Sequence, residues 1–178
     1  MYADVDPAAT GGRAFRQARP LSEQVVEGLK FLRRIEHIVI ADVTKGDYVI
    51  SVYFKGARAP SCSTKQSFSK FRNLHKACVG WSSCHVELSP EYGVAPCLYC
   101  RAFNDAYEID QWPGSSDRLF GSKTKLMRVL EARLNEYVQR ARGEAQGPYL
   151  CEGIENIPLL VAAFLLKGVE MATLRTME

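Results

Sequence analysis

The chain has no apolar run long enough to cross a bilayer. The longest, residues 159–166, falls far short of the roughly 20 residues a spanning helix needs. Its first residues lack the apolar segment of a secretory leader. The common catalytic fingerprints are missing too: there is no Gly-x-Ser-x-Gly, no His-Glu-x-x-His, no Gly-x-x-x-x-Gly-Lys and no dinucleotide-binding glycine pattern. Histidine is scarce, with only His37, His75 and His85. Cys78 follows His75 on one predicted helix, but no third group is in place to orient such a pair. These absences lead us to expect a non-enzyme in the cytoplasm whose membrane role, if it has one, is peripheral.

One further absence concerns charge. The net charge of +3 is mild, yet no acidic residue occurs between Asp47 and Glu87, a stretch that holds Lys55, Arg58, Lys65, Lys70, Arg72 and Lys76. A second basic segment runs from Arg118 to Arg142, where Lys123, Lys125, Arg128, Arg133 and Arg140 face only Glu131 and Glu136. Brought together by the fold, the two segments would make one positive face; kept apart, they are ordinary solvated surface. An acid-leaning stretch between them argues against a long groove for nucleic acid, so no nucleic-acid partner is expected.

The 178 residues, 47% hydrophobic and 24% charged, suit one domain with a core large enough to stand without disulfides. Residues 1–20, with Ala-Ala-Thr-Gly-Gly and Pro20, show no apolar period and read as a disordered leader. A helix fits 22–34, with Ser22 as cap and Val25, Val26, Leu29 and Leu32 on one face. Strands at 35–43 and 47–54 read as a hairpin turning at Lys45-Gly46-Asp47, and a third at 63–69 pairs with the second. Helices follow at 69–78, 97–107 and 123–141. The last of these carries the stripe Leu126, Leu130, Leu134, Tyr137, Val138 and Ala141. A final helix fits 157–166, with Asn156 as cap, Pro158 in the first turn and Gly168 past the end. Strands first and helices after give an α+β fold: a three-stranded antiparallel β-meander packed against a helical subdomain.

Four segments, in order, carry a resemblance. Gln66-Ser67-Phe68-Ser69-Lys70-Phe71-Arg72-Asn73-Leu74-His75 is similar to an Arg-Arg-Tyr-Ser-Asp-Phe-x-x-Leu-His block. Trp112-Pro113 through Arg118-Leu119-Phe120-Gly121 looks like a proline-rich loop ending in Leu-Phe-Gly. Leu134-Asn135-Glu136-Tyr137-Val138 is similar to a Leu-x-x-Tyr-Leu stripe, and Phe164-Leu165 matches a Phe-Leu pair in the last helix. Across residues 35–167 the chain thus resembles a phox-homology (PX) domain, preceded by a helix at 21–34 and followed by a tail at 168–178. The resemblance implies phosphoinositide binding and peripheral recruitment to endosomal or other intracellular membranes in trafficking.

A phosphoinositide site needs cations for the phosphates and a flat side chain under the inositol ring. In the family, the second arginine of the block grips the phosphate and the next aromatic lies under the ring. Here those positions are Ser67 and Phe68, and the helix arginine of the family falls on Leu130. Lys65, two residues before Ser67 and on the same strand face, is the nearest substitute. The candidate lipid-binding residues are therefore Lys65, Phe68, Arg118, Arg128 and Arg133, with Trp112 as the loop residue that would enter the bilayer interface beside Trp81. A non-standard headgroup site for phosphoinositide or other anionic lipid follows. The alternative is a PX-fold module that has lost lipid and contacts a protein partner.

Six cysteines remain to be placed. Cys97-Leu98-Tyr99-Cys100 is a CxxC pair, and with Cys84 and His85 it offers four soft donors that a zinc ion could take. Against that, the side chains of adjacent Cys84 and His85 tend to diverge, and small buried hydrophobes are the simpler reading. No metal or cofactor is expected on that reading, and Cys62, Cys78 and Cys151 have no evident partners.

Overall fold

The computed structural model describes residues 16–17, 21–44, 46–83, 97–108, 113, 122–143 and 149–168. Its sheet is the expected antiparallel meander, β2 (Ile35–Thr44), β3 (Asp47–Phe54) and β4 (Cys62–Ser67), in the order β2-β3-β4. Gly46 turns the hairpin at φ 88°, a left-handed conformation that costs glycine nothing. Alternation sorts the faces. Tyr48 pairs with Gln66, Ile50 with Thr64 and Val52 with Cys62 on the buried side, while Val49–Lys65 and Asp47–Ser67 lie on the other.

Helices cover the buried face. They are α1 (Glu23–Arg34), α2 (Phe68–Ser83), α3 (Leu98–Glu108), α4 (Lys123–Ala141) and α5 (Glu152–Leu166). Ser22 caps α1, its hydroxyl accepting from the Val25 N–H at 3.4 Å. Val25, Gly28, Leu29, Phe31 and Leu32 are buried, whereas Val26 is 36% exposed and lies off the apolar stripe that the sequence assigned it. The α4 stripe is buried at all six expected positions. α5 packs against both α1 and α2, and Phe71 meets Tyr48 and Phe164 edge-on at 5.6 and 5.0 Å.

α4 also closes the free edge of β2. Asn135 accepts from the Ile38 N–H at 2.8 Å and donates to the Ile38 carbonyl at 2.8 Å; Glu131 accepts from the Ile40 N–H at 2.7 Å. Arg142 donates to the Ile35 carbonyl at 2.9 Å. Side chains of a helix thereby occupy the backbone groups that an open strand edge would offer to another chain.

Two expectations are corrected. α5 begins at Glu152 rather than 157: Cys151, not Asn156, is its N-cap, accepting from Ile154 N–H at 3.4 Å, and Pro158 lies inside the helix. Within the expected leader, Arg16–Gln17 (β1) pairs antiparallel with Tyr149–Leu150 (β5). The rest of residues 1–20 lies outside the described residues, as do Cys84, His85, Trp112 and Arg118.

Candidate functional site

Strand alternation turns Ser63 and Lys65 of β4 away from the core, leaving both exposed. The end of α5 comes alongside. Gln66 Nε2 donates to the Phe164 carbonyl at 2.6 Å, and the Thr64 hydroxyl donates to the Lys167 carbonyl at 2.5 Å. Gly168, at φ 78°, then turns the chain. Val49, Ser63, Thr64, Lys65, Lys167 and Gly168 thus line one recess of about 390 Å³. That volume lies within the range of small-ligand sites, although the recess is open to solvent on one side.

The C-terminal end of a helix is the negative end of its dipole, but Gln66 and Thr64 occupy two of the carbonyls at this end. Two exposed lysines remain as donors, and the Ser63 hydroxyl is shared with Ser51 at 3.4 Å. Nearby in sequence, α2 exposes Lys70, Asn73 and Lys76 along one side, in a stretch without a single acidic residue.

The other candidates fall elsewhere. Phe68 is only 3% exposed and belongs to the core, so its ring offers no open face to a sugar. The strand-to-helix junction explains this, because β4 ends at Ser67 and the first side chain of α2 points inward. Arg128 is exposed on α4. Arg133 is engaged by Glu136 at 3.0 Å, and the same carboxylate holds Arg140 at 2.8 Å. Leu130, at the position of the family's helix arginine, is completely buried. Trp81 packs partly buried against the core. Among the described candidates, the recess gathers Lys65 alone; it adds Lys167, which the sequence signalled only as a basic residue before a helix-ending glycine.

Histidine and cysteine chemistry is likewise settled by packing. His75 Nδ1 lies 2.6 Å from the buried Tyr137 hydroxyl, and burial followed by the charge of Arg133 holds its pKa below the usual imidazole value. Cys78 is fully buried, and burial pushes its thiol up to about 12, far from the thiolate a nucleophile needs.

Three thiols do converge. Cys97 and Cys100 stand at the start of α3, and Cys151 at the start of α5; their sulfurs all lie within 4.8 Å of one another. Cys97 Sγ is 3.5 Å and Cys100 Sγ 3.6 Å from Cys151 Sγ. Hydrogen bonds from Cys151 and Cys97, then burial, push the Cys100 thiol up. Cys151, without a partner in the sequence reading, is the centre of this group.

Comparison with known proteins adds no relative: no family model matches the chain, and neither does any curated protein or solved structure.

Proposed function

We propose that this chain is a PX-like module that binds phosphoinositide or another anionic lipid and so attaches peripherally to intracellular, endosomal-type membranes. The observation that carries the reading is the recess where Lys65 of β4 meets Lys167 at the end of α5. Its chemistry suits a phosphate: two lysines and a glycine line it, and the stretch that supplies Lys65 carries no acidic residue between Asp47 and Glu87. The order of strands and helices, and the four sequence segments that resemble a PX domain, support this reading. On this reading the protein is a binding module rather than an enzyme. Among the described residues no helix is long and apolar enough to cross a membrane, so attachment would be at the surface.

Cosedimentation with vesicles bearing single phosphoinositides, at about 0.15 M salt, tests this. A lysine near an anionic surface contributes about 1 kcal/mol, so Lys65→Ala and Lys167→Ala should each weaken retention about fivefold, and the double variant about 25-fold. Both side chains are exposed, so folding should be preserved. Wild-type protein that stays in the supernatant with every vesicle would overturn the proposal.

One observation favours a second reading, a protein-interaction module of PX-like fold. Burial of Phe68 and Leu130 removes both the ring platform and the helix cation of the usual pocket. Absence of vesicle binding together with a well-folded chain would support it.

A further inference from the structure

Cys97 and Cys100 are separated by one helical step, so their sulfurs fall on one face at the first turn of α3. Cys151 caps α5 and brings a third sulfur to the same point. Among the described residues this is the one group of three metal-ligating side chains whose donor atoms converge. The spacing is informative. A disulfide would bring two sulfurs to about 2.05 Å, and the observed separations are 3.5 and 3.6 Å. Tetrahedral zinc–thiolate bonds of about 2.3 Å place neighbouring sulfurs about 3.8 Å apart. The two pairs that involve Cys151 need only a slight spreading to reach that arrangement, and the third pair lies within 4.8 Å.

A second observation concerns Gly153. A Cβ on this residue would sit 2.6 Å from Cys100 Sγ and 3.5 Å from Cys151 Sγ. Any other residue would drive the buried Cys100 sulfur out of the group, so the glycine is what lets α5 approach α3 this closely. A third observation is electrostatic. Two helix N-termini, those of the 11-residue α3 and the 15-residue α5, meet at the sulfurs, and the Ile154 N–H already points to Cys151 Sγ at 3.4 Å. Positive helix ends and backbone N–H donors favour the net negative charge that a zinc centre with three sulfur ligands would carry.

We propose that Cys97, Cys100 and Cys151 form a zinc site that ties the start of α3 to the start of α5. Zinc(II) would take three thiolates and release three protons, leaving a centre of net charge −1 at the two helix N-termini, with a fourth position for water or another donor. Its sulfurs are buried or half-buried, and the Trp81 carbonyl near the end of α2 lies 3.5 Å from where a Cβ on Gly153 would sit. It differs from the CxxC-with-Cys84-and-His85 set that the sequence offered, because Cys151 is brought in from the far end of the chain.

The full chain, purified with reductant and without chelator, should carry about one zinc per molecule by elemental analysis. After chelation, equimolar cobalt(II) should produce the near-ultraviolet sulfur-to-cobalt bands and visible bands of a tetrahedral thiolate site. Outer-sphere changes alone cost about 10–100-fold in metal affinity, so Cys97→Ser and Cys151→Ser should weaken cobalt binding at least that much, while Cys62→Ala on β4 should not. If a serine variant fails to fold, the wild-type cobalt spectrum still decides. Absence of both zinc and thiolate–cobalt bands in the folded wild type would overturn the proposal. So would a Cys97–Cys151 disulfide in the reduced preparation, or equal loss of cobalt in Cys62→Ala.

Discussion

Asn135→Ala should destabilise the fold more than any solvent-facing substitution on α4. The amide makes a two-way bridge to Ile38, accepting from its N–H and donating to its carbonyl, each at 2.8 Å, and also donates to the Glu131 carbonyl at 3.0 Å. Ile38 is itself 1% exposed, so its backbone has little water to turn to. A net intramolecular hydrogen bond contributes about 0.5–1.5 kcal/mol, and a buried group left unmatched costs about 1–3 kcal/mol. Two such groups on the edge of β2 give a loss of about 2–6 kcal/mol, or roughly 4–24 °C in Tm for a domain of this size. Urea unfolding followed by circular dichroism measures it. Asn135→Asp provides the internal control: it keeps an acceptor for the Ile38 N–H but sets a carboxylate against the Ile38 carbonyl, so it should recover little. A loss below about 0.5 kcal/mol for Asn135→Ala, the range of ordinary surface changes, would refute the reasoning and show that water satisfies the edge of β2.

Two further outcomes are expected. Leu130→Arg, which writes the family's helix arginine back into the chain, should cost more than about 4 kcal/mol in urea unfolding because it buries an unpaired charge in a fully closed site; a stable variant with gained phosphoinositide binding would contradict this. His75 has a pKa below its unfolded value of about 6.5. It is therefore neutral in the folded state, and stability is full above pH about 6.5 and declines as pH falls from there through the lowered folded value. His75→Asn, which keeps a hydrogen-bonding group opposite the Tyr137 hydroxyl, should flatten that part of the stability–pH curve; an unchanged acid slope would assign it to other groups.

How much of this was legible in the sequence depends on the range of the forces involved. The α4 stripe could be read because its six apolar residues recur at helical spacing, and every one is buried. The hairpin could be read from Val, Ile and Tyr at alternate positions and a turn glycine. Val26 misled because a Val beside a stripe looks like part of it, while the helix rotation of about 100° per residue carries it just past the edge. The start of α5 was hidden by an uncommon cap, a thiol, and by a proline that reads as a first-turn residue. The pairing of Arg16–Gln17 with Tyr149–Leu150 is too short to leave any period. For the site, alternation set Lys65 on the strand face of Ser67, as the pairing has it, yet nothing local could bring Lys167 beside it. Phe68 was assigned to the site by resemblance, and the turn from strand to helix sends it into the core instead.

The two proposed sites share one element and yet are separable. α5 spans 15 residues, which at 1.5 Å per residue is about 22 Å. The thiols gather at its N-terminus and the lysine recess at its C-terminus, each fixed by contacts the other does not use: Cys97 and Cys100 of α3 at one end, Thr64 and Gln66 of β4 at the other. Between them the helix is held by α1 and α2, with Ile157, Val161 and Leu165 completely buried. Removing a metal from the first end would therefore loosen the α3–α5 junction without displacing Lys65 or Lys167, since the packing along the helix and the Gln66–Phe164 bond still locate the second end. A chain stripped of metal that still sediments with anionic vesicles would fit that arrangement. Parallel loss of both would mean that α5 moves as one rigid rod, and that the recess depends on where its far end is anchored.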